Sequence, residues 1–267
     1  MAPKPVDRNK LEYASHPPSW VIPLRDMRFE DGEREVIEFF LVSTPCKYLS
    51  AREVLLTAYG WESDVPAKDG YLCRRLMEVA GLREHQNFFV GSRREDMKRV
   101  FLDAQMGEAF YEKHVGNRVA YLANGNLIMS LFRVIRNSFA HSRFNVVSIE
   151  GERYFVMENG LVAGDTFEVK ARLLLRSSTL LKWIDVIENE SSIAIAEKRQ
   201  KEEDARKEHE ALLSAAVEAM QGGKIAKKED FAEVLRIDKR QIGKLVNELK
   251  REHGAEYSRS EHRWMVS

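Results

Sequence analysis

The apolar positions in the first third of the chain recur at helical spacing. They begin at Glu33 and stop at Thr44-Pro45, which predicts a first helix. Upstream, residues 1–30 hold five of the seven prolines and keep no period, so we expect an irregular arm there. Three shorter helical patterns follow: Ser50 to Gly60, Asp69 to Ala80, and Ser92 to Phe110.

The broadest apolar pattern runs from about Gly116 to Phe139. Its apolar positions cover too much of the helix circumference for a helix on the protein surface, which predicts the central helix of a bundle. The period then shortens to two around Gly151, which predicts a β-hairpin near residues 144–158. Helical spacing resumes from Phe167 to Ile187.

The C-terminal stretch, residues 210–267, has an order of its own. It reads as three helices and two strands: Ala211 to Met220, Glu229 to Leu235, Asp238 to Glu252, Tyr257 to Arg259, and His262 to Val266. This order is typical of a winged helix-turn-helix. Residues 201–209, which precede it, are dense in charge and predict a solvated helix or connector.

These patterns together predict a mainly α protein in four parts. The parts are an irregular arm (1–30), a helical bundle domain with a β-hairpin insertion (31–200), a charged connector (201–209) and a small winged helix-turn-helix domain (210–267). We therefore expect two folded domains.

Composition narrows the class of protein. Apolar residues make up 44% of the chain and charged residues 31%, as in soluble globular proteins. Basic and acidic residues balance at 42 each, so any nucleic-acid binding must arise from local charge. No signal-peptide core or membrane span is evident, which predicts a cytoplasmic protein. Cys46 and Cys73 lack metal-ligand spacing, and we expect neither metal nor cofactor.

Three residues with complementary chemistry lie where the broad apolar pattern ends: Arg136, Asn137 and His141. Cutting RNA without a metal requires removal of the 2′-hydroxyl proton, stabilisation of negative charge on phosphorus, and protonation of the leaving oxygen. His suits the first or the last role because its ordinary pKa is near neutrality. Arg suits the second because its planar donors match phosphate oxygens.

Helical geometry constrains how these residues cooperate. At about 100° per residue, Asn137 and His141 are about 40° apart, but Arg136 and His141 are about 140° apart. Either the last turn unwinds, or two copies of the helix assemble one site around a two-fold axis. In the second arrangement two histidines face one cleft, so one acts as base and the other as acid. The alternative is a purely structural role, in which Arg136 and His141 only cap the helix.

The segment Ile135 to Phe144, I-R-N-S-F-A-H-S-R-F, resembles the signature of the HEPN superfamily. The resemblance implies a helical bundle that dimerises around a shared site and cuts RNA without a metal. It assigns Arg136 as the phosphate-stabilising cation, Asn137 as the polar residue after it, and His141 as general acid or base. It also implies a bacterial toxin-antitoxin or antiphage system with an antitoxin or other defence partner. An inactive motif that binds RNA or dimerises remains an alternative.

Further cations are candidates for nucleic-acid contact. Arg133 and Arg143 flank the motif and could extend a phosphate-binding rim, although solvated surface arginines are an equal alternative. In the C-terminal module the candidates are four residues of the recognition helix and two of the wing: Lys239, Arg240, Gln241, Lys244, Arg259 and Arg263. Such modules contact DNA, RNA or a partner protein.

Two functions compete at this point. The first is a metal-independent HEPN-type endoribonuclease that acts on RNA as a homodimer. The second is a non-catalytic DNA-binding regulator whose helical domain dimerises or senses a ligand.

Overall fold

The computed structural model describes residues 13–14, 18–46, 54–68, 70–163 and 166–266. By internal contacts the chain divides into two compact units, Met1–Ile195 and Ala196–Ser267. The first unit combines helices with a six-stranded sheet, so the fold is mixed α/β. The expectation of a mainly α protein is wrong. Within the described ranges, none of the helices has the length and apolar character needed to cross a bilayer.

The helical segments before residue 104 follow the predicted order. They are α1 (Asp31–Glu38), which continues as a wider π turn over Phe39–Ser43, a 3-10 turn (Leu56–Tyr59), α2 (Tyr71–Ala80) and α3 (Met97–Asp103). A capping box between Glu30 and Glu33 begins α1. Gly81, with φ of 60°, ends α2 as a left-handed cap. The predicted start of the second helical pattern, Ser50, lies outside the described residues.

The predicted central helix is wrong in its first half. Residues Arg118–Leu122 form strand β3, and α4 spans Leu127–Ala140. The Asn126 side chain caps α4 by accepting a hydrogen bond from Met129 N at 3.1 Å. The turn at Asn124-Gly125-Asn126, where Gly125 has φ of 80°, therefore separates a strand from a helix.

The large sheet is built from six strands: β1 (Tyr13–Ala14), β2 (Phe88–Gly91), β3, β4 (Phe144–Ile149), β5 (Glu152–Ala163) and β6 (Thr166–Arg176). Its order is β2-β3-β6-β5-β4, with β1 paired to β6. The β2–β3 pair is parallel and the remaining pairs are antiparallel. The predicted hairpin is confirmed as β4 and β5.

The helix predicted to resume at Phe167 is wrong as far as residue 176. That stretch is β6, and the helix α5 begins afterwards at Ser177–Asn189. Leu173, Leu174 and Leu175 are all fully buried, because β6 is covered on both faces. A strand buried on both faces loses its period of two and reads as a continuous apolar run.

The two faces of the sheet carry two separate cores. On one face α1, α2, α4 and α5 pack over alternate strand residues, such as Tyr121, Phe155 and Leu173. On the other face Trp20 and Phe110 pack over Ala120, Tyr154, Val156 and Leu174. α4 thus lies within the helical layer, with Phe132 and Ile135 fully buried.

The second unit contains the C-terminal elements in the predicted order. They are the end of α6 (Ser191–Gln221), α7 (Asp230–Leu235), α8 (Lys239–His253), β7 (Glu256–Ser258) and β8 (Arg263–Met265). Leu213, Phe231, Leu249 and Trp264 share its core. The charged residues 201–209 continue α6, where Arg206 pairs with Glu203 one turn away.

Candidate functional site

The C-terminal half of α4 is held rigidly against the sheet. Phe139 packs edge-on against Phe144 and Phe155, with ring centroids 4.8 and 5.4 Å away. The hydroxyl of Ser138 donates to Val134 O at 2.9 Å and lies 3.2 Å from Glu158 O on β5. Side chains of this helix end are therefore positioned by a packed scaffold, as a reactive group requires.

Arg136 and Asn137 come together at this end of α4. The Nη1 atom of Arg136 donates to Asn137 Oδ1 at 3.4 Å, a long hydrogen bond. Both side chains are half-buried. The guanidinium thus retains donors for a further acceptor.

His141 lies where the helix ends. Its backbone, with φ of −101° and ψ of 11°, has left helical geometry, although its N–H still donates to Asn137 O at 3.0 Å. The residue is exposed, and within the described residues its ring makes no hydrogen bond. The structure therefore joins Arg136 to Asn137 but does not bring His141 onto Arg136 within one copy of the chain.

Arg133 lies one turn before Asn137 and shares a cleft with it. The cleft has a volume of about 320 Å³ and lies between α4, the segment after β2, the β3–α4 turn, and β5 and β6. Its polar lining comprises three cations, three amides and two hydroxyls: Arg94, Arg133, Lys170, Asn124, Asn137, Asn159, Ser92 and Ser130. No carboxylate lines the cleft among the described residues.

The buried thiol of Cys46 lies close enough to α4 for the charges of Arg133 and Arg136 to affect its pKa. Burial raises the pKa of Cys46 to about 12, and the positive charges of these two arginines act against that increase. The thiol is therefore neutral at pH 7 and does not serve as a nucleophile.

Arg143 does not belong to a phosphate-binding rim. Its side chain is only 7% exposed and pairs with the carboxylate of Glu158. The guanidinium also lies over the Phe167 ring, with Cζ 3.5 Å from the centroid. Arg143 is a buried structural cation, because its guanidinium pairs with Glu158 on β5 and is shielded from solvent.

Arg94, Lys170, Asn124 and Asn159 are functional candidates that the sequence does not predict. These residues come from separate elements, so no local spacing unites them. A glycine within an apolar strand, Gly160, is the signal that could have suggested a β-bulge beside a site.

The predicted nucleic-acid contacts of the C-terminal unit are mostly on its surface. Lys239, Arg240, Gln241 and Lys244 are exposed on α8, opposite the buried Ile242, Leu245, Val246 and Leu249. Arg259 is exposed in the β7–β8 turn. Arg263 is half-buried, and its Nε donates to Glu261 at 2.7 Å, which partly neutralises it.

Comparisons with protein-family models, curated proteins and solved structures found no match to this chain. Within the part of the chain that the structure describes, no group of three His, Cys, Asp or Glu residues is placed to hold a metal ion.

Proposed function

We propose that the protein is a metal-independent endoribonuclease of the HEPN type. The proposal is based on the arrangement of side chains at the end of α4. There a half-buried arginine contacts an amide, and an exposed histidine follows one turn later. Each of the three residues has the chemistry that cleavage by a 2′-hydroxyl requires.

The reaction divides among these side chains. His141 removes the 2′-hydroxyl proton or protonates the departing 5′-oxygen. Arg136 stabilises the negative charge that develops on the phosphorane oxygens. Asn137 orients the guanidinium through its hydrogen bond. The products are a 2′,3′-cyclic phosphate and a 5′-hydroxyl.

A homodimer supplies the missing geometry. Arg136 and His141 of one copy do not converge, and two histidines are needed if one is the base and the other the acid. Two copies of α4 that meet at their C-terminal ends would place both pairs around one scissile phosphate. The exposed position of His141 leaves it accessible for such a shared site.

The fold supports a HEPN-type assignment through its helical layer. Four helices, α1, α2, α4 and α5, share one core, with the motif at the end of the most buried one. We propose that this layer corresponds to the superfamily's bundle and that the sheet is an addition to it.

The C-terminal unit is proposed to be a winged helix-turn-helix that places the enzyme on nucleic acid or on a partner. Its α8 presents three exposed cations that form no ion pair among the described residues: Lys239, Arg240 and Lys244. By the same resemblance we propose a cytoplasmic toxin-antitoxin or antiphage role, restrained by an antitoxin or other defence partner.

The exposed face of α8 also favours a second candidate, a DNA-binding regulator without catalysis. The two candidates differ in the role of His141. Incubation of purified protein with transfer and total RNA in EDTA, beside Arg136→Ala and His141→Ala, separates them. The nuclease predicts cleavage by the wild type and by neither variant. The regulator predicts intact RNA, with DNA binding that is indifferent to His141.

A further inference from the structure

The cleft beside α4 has the charge of an anion-binding site. Three cations, Arg94, Arg133 and Lys170, line it without a facing carboxylate. Arg94 is balanced by the buried Glu168, with which it pairs, whereas Arg133 and Lys170 have no ion pair among the described residues. Two uncompensated cations therefore share one cavity.

Lys170 reaches this cavity because of a β-bulge. On β5 and β6, Asn159 pairs with Ala171 and Gly160 pairs with Val169, so Lys170 has no residue opposite it. A bulge bends the strand and redirects the extra side chain. Burial lowers the pKa of Lys170, and the charge of Arg94 lowers it further. Repulsion between these like charges is unfavourable, and a bound anion offsets it.

Arg133 brings a hydrogen-bond donor without an acceptor. Its Nε atom is enclosed, and none of the described residues accepts its hydrogen. Buried donors in proteins are nearly always satisfied, so the fold leaves part of the hydrogen-bonding capacity of Arg133 unused. A guanidinium beside an ammonium is the pairing that phosphate oxygens favour.

The cleft is continuous with the proposed cutting site. Asn137 lines the cleft and also accepts the hydrogen bond from Arg136. A ligand in the cleft is therefore separated from Arg136 by one side chain. The amides of Asn124 and Asn159 can donate to or accept from the edges of a nucleotide base. The volume of about 320 Å³ admits a group of nucleotide size.

We propose that this cleft binds a phosphate group of the RNA strand, next to the phosphate that is cut. The identification of the ligand as RNA rests on the proposed nuclease function. The cleft itself is proposed to bind RNA and takes no part in cleavage. Arg133 and Lys170 hold the phosphate oxygens, while Arg94 remains paired with Glu168.

The test is binding of an RNA that cannot be cut. A fluorescent hexamer with 2′-O-methyl groups throughout lacks the attacking hydroxyl, so its anisotropy reports binding alone. The full chain carries Lys239→Ala and Arg240→Ala in every sample to suppress binding at α8. Lys170→Met and Arg133→Met are compared with Lys182→Met, which removes a lysine of α5 from the same unit. Circular dichroism melting establishes that each variant is folded.

The expected result is a loss of affinity of about tenfold or more for each cleft variant. The slope of log K against log salt also falls by about 0.7 for each phosphate that the variant leaves without a cation. Lys182→Met binds as the starting protein does, and Lys170→Arg retains binding because it keeps the charge.

Other outcomes overturn the proposal. Unchanged affinity in both cleft variants does so, and so does failure of the hexamer to bind. Binding of a fluorescent nucleoside monophosphate, lost in Lys170→Met and Arg133→Met, by a protein that does not bind the hexamer would assign the cleft to a free nucleotide instead. Binding that depends on Lys170 and Arg133 in a protein that never cuts RNA would refute the proposed nuclease while leaving the cleft as a phosphate site.

Discussion

Arg143 is buried and pairs with Glu158, whose other oxygen accepts from Arg172 Nε at 3.1 Å. One carboxylate thus holds two buried cations and joins the turn after α4 to β5 and β6. The side chains are 7%, 1% and 10% exposed for Arg143, Glu158 and Arg172. The Glu158 carboxylate therefore offsets part of the two buried positive charges and links the turn after α4 to the sheet.

Glu158→Gln should destabilise the first unit by about 3–5 kcal/mol, because it leaves two buried guanidinium groups without a counter-charge. Urea unfolding measures the change. Glu152→Gln, an exposed position at the start of the same strand, is the matched control and should alter stability little. A cost below about 0.5 kcal/mol for Glu158→Gln would show that the triad does not stabilise the fold.

Gly160→Ala should disrupt the bulge that positions Lys170. A Cβ atom at Gly160 would lie 2.1 Å from the carbonyl oxygen of Glu168 and 2.6 Å from the Phe167 ring. The strands must separate to admit it, at a cost of about 1–3 kcal/mol or more. Gly107→Ala, where a Cβ meets nothing within 4 Å, is the control. Equal melting temperatures for the two variants would contradict the close approach.

Stability should depend on Glu33 in a pH-dependent manner. Burial alone raises the pKa of Glu33, but hydrogen bonds from Arg153, the Glu30 N–H and Ser177, with the charge of Arg153, outweigh it and lower the pKa overall. Because the pKa is lower in the folded state, the ionised carboxylate stabilises the protein at pH values above its unfolded-state pKa of about 4.3. This stabilisation is lost as the pH falls through the folded-state pKa.

Glu33→Gln should therefore cost about 1–3 kcal/mol at pH 7, with the difference from wild type shrinking below about pH 4. Glu35→Gln, an exposed position on α1, is the control and should be neutral at both pH values. Urea unfolding across the pH series makes the comparison. A deficit for Glu33→Gln that is equally large at pH 3 would exclude the carboxylate charge as its cause.

The exposed cations of α8 should govern nucleic-acid affinity of the second unit. Lys239→Ala and Arg240→Ala should each reduce binding to duplex DNA and lower the salt slope by about 0.9 for each phosphate that is no longer neutralised. Lys228→Ala, an exposed lysine before α7, is the control. If the α8 variants and the control behave alike, a partner protein becomes the better candidate ligand for this unit.

Local signals in the sequence predict some elements well. The proline boundary after α1, the glycine cap of α2 and the Asp238 cap of α8 each depend on neighbouring residues, and each element is present in the structure. The two strands β3 and β6 resemble helix in the sequence because they are buried on both faces, so their apolar runs carry no period of two. The class of fold depends on those two strands.

In the candidate site, too, the sequence predicts what depends on neighbouring residues and misses what depends on tertiary contacts. Arg136 and Asn137 are adjacent in sequence, and the structure brings them into contact. The prediction for Arg143 is wrong because its burial depends on Glu158, fifteen residues away on another strand. The cleft cations come from three elements, so only tertiary structure assembles them.

The proposed reaction is cleavage of RNA by its own 2′-hydroxyl at a site formed by Arg136 and His141. The most direct measurement is mass spectrometry of the RNA ends produced in EDTA by wild type, Arg136→Ala and His141→Ala. We predict 2′,3′-cyclic phosphate and 5′-hydroxyl ends from the wild type and none from either folded variant. Ends that bear 5′-phosphate, cleavage that EDTA abolishes, or equal cleavage by the variants would contradict the proposed reaction.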